Sequence, residues 1–381
     1  MSDQANPLPY GRQSINDDDI AAVVEVLRSD FLTTGPMVGR FEDALCDYTG
    51  AGRAVAVNSG TAALHAAYFA AGLRPGGEII TTPMTFAATA NAALYLGATV
   101  RFVDIEPDTG NIDPDLIEAA ITDRTKLIVP VDYAGHPADY DRINRIAADH
   151  DLKVVADAAH SLGATYRGRK CGGLAHATAT SFHPVKPLTT AEGGAVLTDD
   201  AALAERAARF RTHGIVKGTQ TDEHEGPWWC EMHDLGFNYR LSDVHCALGI
   251  SQLRRLDAFV ARRREIADIY NRALAGINGY ELPVVREGVE PGWHLYALRV
   301  TDPARRRPLV ESLHEAGIGV QVHYVPVHYH PYYQKLGFQR GAYPVAEDFY
   351  DRVLSLPVFP AMTDDDVRRV ADACVSSVCR S

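Results

Sequence analysis

From Ala54 to Ala156 the chain alternates short apolar segments with longer amphipathic ones, and few folds accept that alternation. Ala54–Asn58, Glu78–Thr82, Thr99–Ile105, Lys126–Tyr133 and Lys153–Ala156 read as strands, apolar enough to be covered on both faces. Between them Ala62–Ala71, Phe86–Leu96, Pro114–Ile121 and Ala138–His150 read as helices. Strand, helix and strand in steady succession predict an α/β fold, a mainly parallel sheet with helices on both faces. Ligands bind such sheets beyond the carboxyl ends of the strands, where Ser59, Thr82, Asp132, Asp157 and Lys186 would then stand.

The flanking segments extend this plan. Asn16 and three aspartates ahead of Ile20, Val23, Val24 and Leu27 predict a capped, acid-led helix. Phe31–Val38 reads as a loop and Gly39–Tyr48 as a second helix. After Asp200–Arg211, a helix, His213–Phe237 is polar and irregular, contains Trp228 and Trp229, and has the length of a lid or an interface segment. Leu241–Ile277 reads as one long helix. The last third (strands Gly292–Val300 and Ile318–Tyr324; helices Pro308–Ala316, Ala346–Leu354 and Asp364–Val378) predicts a smaller α+β unit. At 381 residues the chain exceeds one small core, and the expected division is a large domain, 1–250, and a small one, 251–381.

Composition excludes several classes of function. A formal net charge of -12 disfavours nucleic acid or an anionic membrane surface as the main partner. No apolar run approaches the ~20 residues that span a bilayer, and Met1–Tyr10 is polar, so a cytoplasmic protein is expected. The six cysteines form no CxxC pair, which signals neither a disulfide framework nor a zinc site. His323, His328 and His330 lack helical spacing and an accompanying cysteine or carboxylate, so no metal site is expected.

Lys186 lies between Pro184 and Pro187 in a loop joining two strand-like runs, Ala177–Phe182 and Gly194–Thr198. Apolar and hydroxylic neighbours desolvate its amine, and a desolvated amine is neutral more often and attacks carbonyls. Asp157 ends an apolar strand, where a carboxylate either caps a helix or serves a ligand. Next to a lysine able to form a Schiff base it acquires a definite job, because pyridoxal phosphate acts as an electron sink only while its ring nitrogen stays protonated. A carboxylate ~4 Å from that nitrogen, at an effective dielectric near 20, is worth on the order of 4 kcal/mol, or roughly three pKa units. His160 could orient the carboxylate, line the ring or be structural. Asn58–Ala63 is a strand-to-helix turn whose free N–H groups suit a phosphate, and Ser181 could add a hydroxyl or simply cap its strand. Phe86, opening a helix, could stack on a cofactor ring or pack in the core.

Leu32–Pro36, Asn58–Ala63, Pro83–Thr89, Asp157–His160, Ser181–His183 with Lys186 and Glu192–Gly194, and Gly236–Arg240 together resemble the DegT/DnrJ sugar aminotransferases over nearly the whole chain. That resemblance implies the aspartate aminotransferase fold (fold type I) and pyridoxal 5'-phosphate as cofactor. It implies that Lys186 bonds the cofactor, Asp157 partners the pyridine nitrogen and Phe86 stacks on the ring. Gly60, Thr61 and Ser181 would contact the phosphate, and Asn238 would reach it from the other subunit of a homodimer with shared sites. Related dehydratases carry histidine in place of the lysine, so lysine here implies transamination.

Val131–Gly135, Phe210–Gly214, Gln321–Pro326 and Ala346–Tyr350 are similar to the branch of the family that serves pseudaminic acid biosynthesis. Membership of that branch would make Tyr10, Asp30, Phe31, Leu32, Thr33, Gln321, Val322, His323 and Tyr324 contacts to a nucleotide sugar. The implied reaction moves an amino group from L-glutamate to C4 of a UDP-linked 4-keto-6-deoxy-N-acetylhexosamine. Its products would be UDP-4-amino-4,6-dideoxy-N-acetyl-beta-L-altrosamine and 2-oxoglutarate. The sequence departs from the branch at Gly60, where alanine is usual, and at Trp228–Trp229. A dTDP-linked keto-sugar, or a regulatory protein that keeps the cofactor fold without turnover, are the alternative readings.

Overall fold

The computed structural model describes residues 7–217, 226 and 228–379. Residues 1–6 of the polar N-terminus, and 218–225 and 227 of the irregular segment after His213, lie outside them. Its main sheet has seven strands: β1 (Arg53–Val57), β2 (Glu78–Thr81), β3 (Thr99–Phe102), β4 (Thr125–Ile128) and β5 (Lys153–Asp157), then β8 (Ala177–Ser181) and β9 (Gly194–Thr198). The short pair β6 (Thr165–Tyr166) and β7 (Arg169–Lys170) stands apart. The order is β1-β9-β8-β5-β4-β2-β3. The pairs β3–β2, β2–β4, β4–β5 and β5–β8 are parallel, as the alternation requires.

Strand β9 runs antiparallel to both its neighbours. It follows β8 through a loop with no crossover helix, and a chain that turns back without one must pair antiparallel. The reversal brings the start of β9 to the edge where β1, β5 and β8 end. Gly194 pairs with both Val57 and Ser181, and Asp157 with Ala179. A Cβ at Gly194 would come within 2.6 Å of the carbonyl oxygens of Ser59 and Thr180, so only glycine lets the three strands close here.

Four helices lead this part of the chain: α1 (Asp17–Leu27), α2 (Pro36–Thr49), α3 (Gly60–Ala71) and α4 (Ala88–Tyr95). Asn16 and Asp19 form a reciprocal capping box on α1. Helix α2 starts earlier than the pattern predicts, because Asp243 from a later helix accepts the Gly35 and Met37 N–H groups at 2.8 and 2.9 Å. Helix α3 is rich in alanine and buried from Ala62 to Ala71, so it lies close against the sheet.

A hairpin of β10 (Ile215–Lys217) and β11 (Cys230–Met232) replaces part of the expected irregular segment, and β13 (Val289–Glu290) pairs with β6. A separate antiparallel sheet, β12 (Tyr280–Glu281), β14 (Tyr296–Val300) and β15 (Val353–Leu356), packs with residues of Leu256–Leu274, Arg306–Glu315 and Asp364–Cys379 in a second apolar cluster. Three expectations fail in this region. The single long helix is two, Asp243–Leu253 and Leu256–Leu274, broken at Arg254–Arg255, where Arg255 turns its guanidinium to Asp19 and the Ser14 carbonyl. Ile318–Tyr324 is no strand; it makes two isolated bridges, Ile318 to Leu8 and Gln321 to Ser355. The end of the expected helix Ala346–Leu354 is the buried strand β15, since tertiary burial of Val353, Leu354 and Leu356 overrides helix propensity. Among the described residues no helix is long and apolar enough to cross a membrane.

Candidate active site

A cavity of about 340 Å³ opens where β1, β5 and β8 end and β9 begins. Gly60, Thr61, Phe86, Asp157, Ser181 and Lys186 line it, joined by His160, Tyr10, His323 and Tyr324. A hollow of about 410 Å³ beside Tyr280, Leu309 and Glu315 lies on the other sheet and gathers none of them.

One end of the cavity is an anion cradle. Ser59 caps α3 by accepting the Ala62 N–H, and the first N–H groups of the helix, at Gly60 and Thr61, have no partner within it. Ser181 packs on this turn so closely that a Cβ at Gly60 would stand 2.8 Å from Ser181 Cβ and 3.0 Å from its Oγ. The absent side chain brings a hydroxyl beside a helix N-terminus, which suits a phosphate dianion.

Asp157 is buried at the end of β5, and its carboxylate accepts the Thr89 hydroxyl at 2.6 Å and the Ala159 N–H at 3.2 Å. Burial raises its pKa, opposed by the Thr89 and Ala159 hydrogen bonds and by the Lys186 charge. Lys186 is half-buried in the cavity wall, and desolvation lowers its pKa to about 8 against the pull of Asp157. Its amine therefore loses its proton far more readily than an ordinary lysine, and a neutral fraction is present near physiological pH. His160, His294 and His323 are all driven down by burial, His323 to about 4, so the imidazoles facing the lysine are neutral. His160 Nε2 meets the Tyr324 hydroxyl at 2.9 Å and His323 Nδ1 meets Ser355 Oγ at 2.9 Å. His328 is engaged by Glu347 instead, so these two of the three histidines considered for a metal have separate partners.

A reactive amine, a buried carboxylate and an anion cradle on one cavity are the donor set pyridoxal phosphate needs, and these residues fit it. Phe86 stands at the rim, 60% exposed. Other expected contacts are not gathered. Asn238 is exposed outside the cavity, its carbonyl accepting Asn58 Nδ2 at 3.3 Å. Asp30, Phe31, Leu32 and Thr33 are exposed and away from the cavity in this chain; Gln321 is exposed and Val322 packs in the second apolar cluster. Asp132 does not line it either. Its carboxylate accepts Tyr140 and Ser161 hydroxyls and the Ala138 N–H, and burial lifts its pKa to about 6. Several wall or supporting residues lay outside the expected site, among them Thr89, Thr85 and His294. Thr89 was visible only as part of a motif, and His294, a lone histidine at the entry to β14, carries no local signal.

A model of the DegT/DnrJ/EryC1/StrS aminotransferase family matches residues 13–375. The chain belongs to that family. A relative, the spore coat polysaccharide biosynthesis protein SpsC of Bacillus subtilis, is 43% identical over 96% of each chain. The UDP-4-amino-4,6-dideoxy-N-acetyl-beta-L-altrosamine transaminase of Campylobacter jejuni is 40% identical over 97% of each. Among solved structures, Spr1654 from Streptococcus pneumoniae in its PLP form superposes with a TM-score of 0.92 at 32% identity, covering 98% of this chain and 99% of that one. The chain is thus a sugar aminotransferase of fold type I, and its cofactor is pyridoxal phosphate.

Proposed function

We propose that this aminotransferase moves the amino group of L-glutamate to C4 of a UDP-linked 4-keto-6-deoxy-N-acetylhexosamine. The products are UDP-4-amino-4,6-dideoxy-N-acetyl-beta-L-altrosamine and 2-oxoglutarate. The observation that carries the chemistry is the convergence of Lys186, Asp157 and the Gly60–Thr61–Ser181 cradle on one cavity. The named substrate is supported by the 40% identity to the Campylobacter jejuni transaminase.

Lys186 bonds the cofactor, Asp157 keeps its ring nitrogen protonated, Gly60, Thr61 and Ser181 hold its phosphate, and Phe86 covers it. When bound, pyridoxal phosphate supplies the electron sink that lets a proton leave the carbon bearing the amino group. Lys186 Nζ takes that proton from glutamate Cα in the first half-reaction and delivers one to the sugar carbon in the second, so kinetics are ping-pong. Tyr10, His323 and Tyr324 form the cavity wall offered to the sugar, with His160 braced on Tyr324. Asp30 to Thr33, Gln321, Val322 and Asn238 complete the site in a homodimer; exposed Phe31 and Leu32 at 53% and 51% give such an interface apolar surface. With this reading goes a cofactor-binding unit, 1–250, and a smaller unit, 251–381, the helix break at Arg254–Arg255 lying beside the division.

The test is a panel of UDP- and dTDP-linked 4-keto sugars with glutamate, the amine identified by mass and NMR. The UDP-linked N-acetylhexosamine should be aminated at C4. Preference for a dTDP sugar would overturn the substrate, and failure of glutamate to convert the bound cofactor to its amine form would overturn glutamate as the donor.

A further inference from the structure

His294 is 4% exposed and enters the cavity from the segment just before β14, a strand of a different sheet from the one that carries Asp157. Its Nε2 lies 3.5 Å from Lys186 Nζ, and its Nδ1 has no partner among the described residues. A buried ring with one nitrogen unsatisfied costs stability, which leaves the contact to Lys186 as the polar contact of this ring within the cavity. The His160 ring stands 4.3 Å away, centroid to centroid, and His160 is itself held by Tyr324, so His294 has little freedom to turn from the lysine. We propose that His294 is a positioning residue for Lys186, holding the free amine in the cavity whenever it is not bonded to the cofactor.

An amine on a four-carbon stem has many rotamers, and a released lysine without an anchor would have to find its place again in each half-reaction. A neutral imidazole suits the task, because it meets the amine without a charge that would repel it. Titratable groups facing the amine from every side are Asp157 from β5, His160 just beyond it, His183 and Glu192 from the lysine's own loop, His294, and Tyr10, His323 and Tyr324. Asp157 is an anion that draws the amine toward one wall; His294 touches it from another. This inference rests on Lys186 being the cofactor lysine.

The experiment uses apo protein and pyridoxal phosphate, following covalent capture by visible absorbance from pH 6 to 10. His294→Phe, similar in volume and without a polar atom, should lower the plateau rate constant for capture about tenfold or more, while His294→Gln, which keeps a polar atom near the position of Nε2, should stay within about threefold of wild type. Thermal unfolding of each variant checks that it is folded. Equal plateaus and equal pH midpoints for His294→Phe and wild type would overturn the proposal, as would a His294→Gln plateau as low as that of His294→Phe. If His294→Phe does not fold, the wild-type protein still decides. The 15N resonances of the His294 ring should shift in Lys186→Ala, and an unmoved Nε2 signal would overturn the proposal. Wild-type protein that captures no cofactor would instead overturn the assignment of Lys186.

Discussion

Asp157 and Lys186 share one cavity and face opposite demands from solvation. Burial pushes the carboxyl pKa up and the amine pKa down, disfavouring the ionised form of the acid and favouring the neutral, nucleophilic form of the amine. On the proposed reading Asp157→Asn keeps the shape but removes the charge that would keep the pyridine nitrogen protonated, and turnover should fall on the order of a thousandfold with cofactor still bound. Steady-state kinetics with cofactor absorbance check both halves of that statement. Thr89→Val is the finer test. Losing the 2.6 Å hydroxyl donor leaves a buried carboxylate oxygen under-satisfied, at a cost of about 1–3 kcal/mol. The Thr89 bond lowers the Asp157 pKa, so its loss raises it. The carboxylate must be ionised to act, and the acid limb of the kcat profile should therefore move to higher pH in Thr89→Val and stay in place in Thr89→Ser. The sequence showed Asp157 and Lys186 through their strand end and proline-bounded loop; it could not show Thr89 or His294, whose contacts cross between elements.

The loop between β8 and β9 holds no crossover helix, so the chain reverses, and that reversal brings the start of β9 against the ends of β1 and β8 at one glycine. Gly194→Ala would drive a methyl into two backbone carbonyls that have no rotamer to yield, and overpacking of this kind costs about 1–3 kcal/mol. Its unfolding midpoint should fall by several degrees, and cofactor affinity should weaken with it because Ser59 and Thr180 border the cradle. A midpoint equal to wild type by calorimetry would show that the strand ends have slack. Both strands were legible in their alternation, and Gly194–Thr198 was placed to the residue. Their antiparallel pairing was hidden, since the same alternation serves either direction. The split of Leu241–Ile277 into two helices was likewise invisible, because neither glycine nor proline marks it and the break follows Arg255 reaching across to Asp19.

At the scale of the molecule, the cavity takes Lys186 and Asp157 from one sheet region and His294, His323 and Tyr324 from the part of the chain that carries the other sheet. Asn238 lies outside the cavity of its own chain, which suits a residue that serves a partner. Mixed Lys186→Ala and Asn238→Ala chains should recover about a quarter of wild-type activity, since random pairing makes half the dimers hybrid and each hybrid holds one intact site. Hybrids that form and stay inactive would rule out a shared site. What the sequence alone determined is whatever a local pattern encodes: the α/β class, the capped turn into α3, the strand-end acid and the lysine loop, because periodicity and caps act over a few residues. Only the tertiary structure decided which strand runs backwards, that Thr89 holds the acid and that His294 meets the lysine, because each depends on atoms brought together from distant parts of the chain by burial of the apolar faces between them.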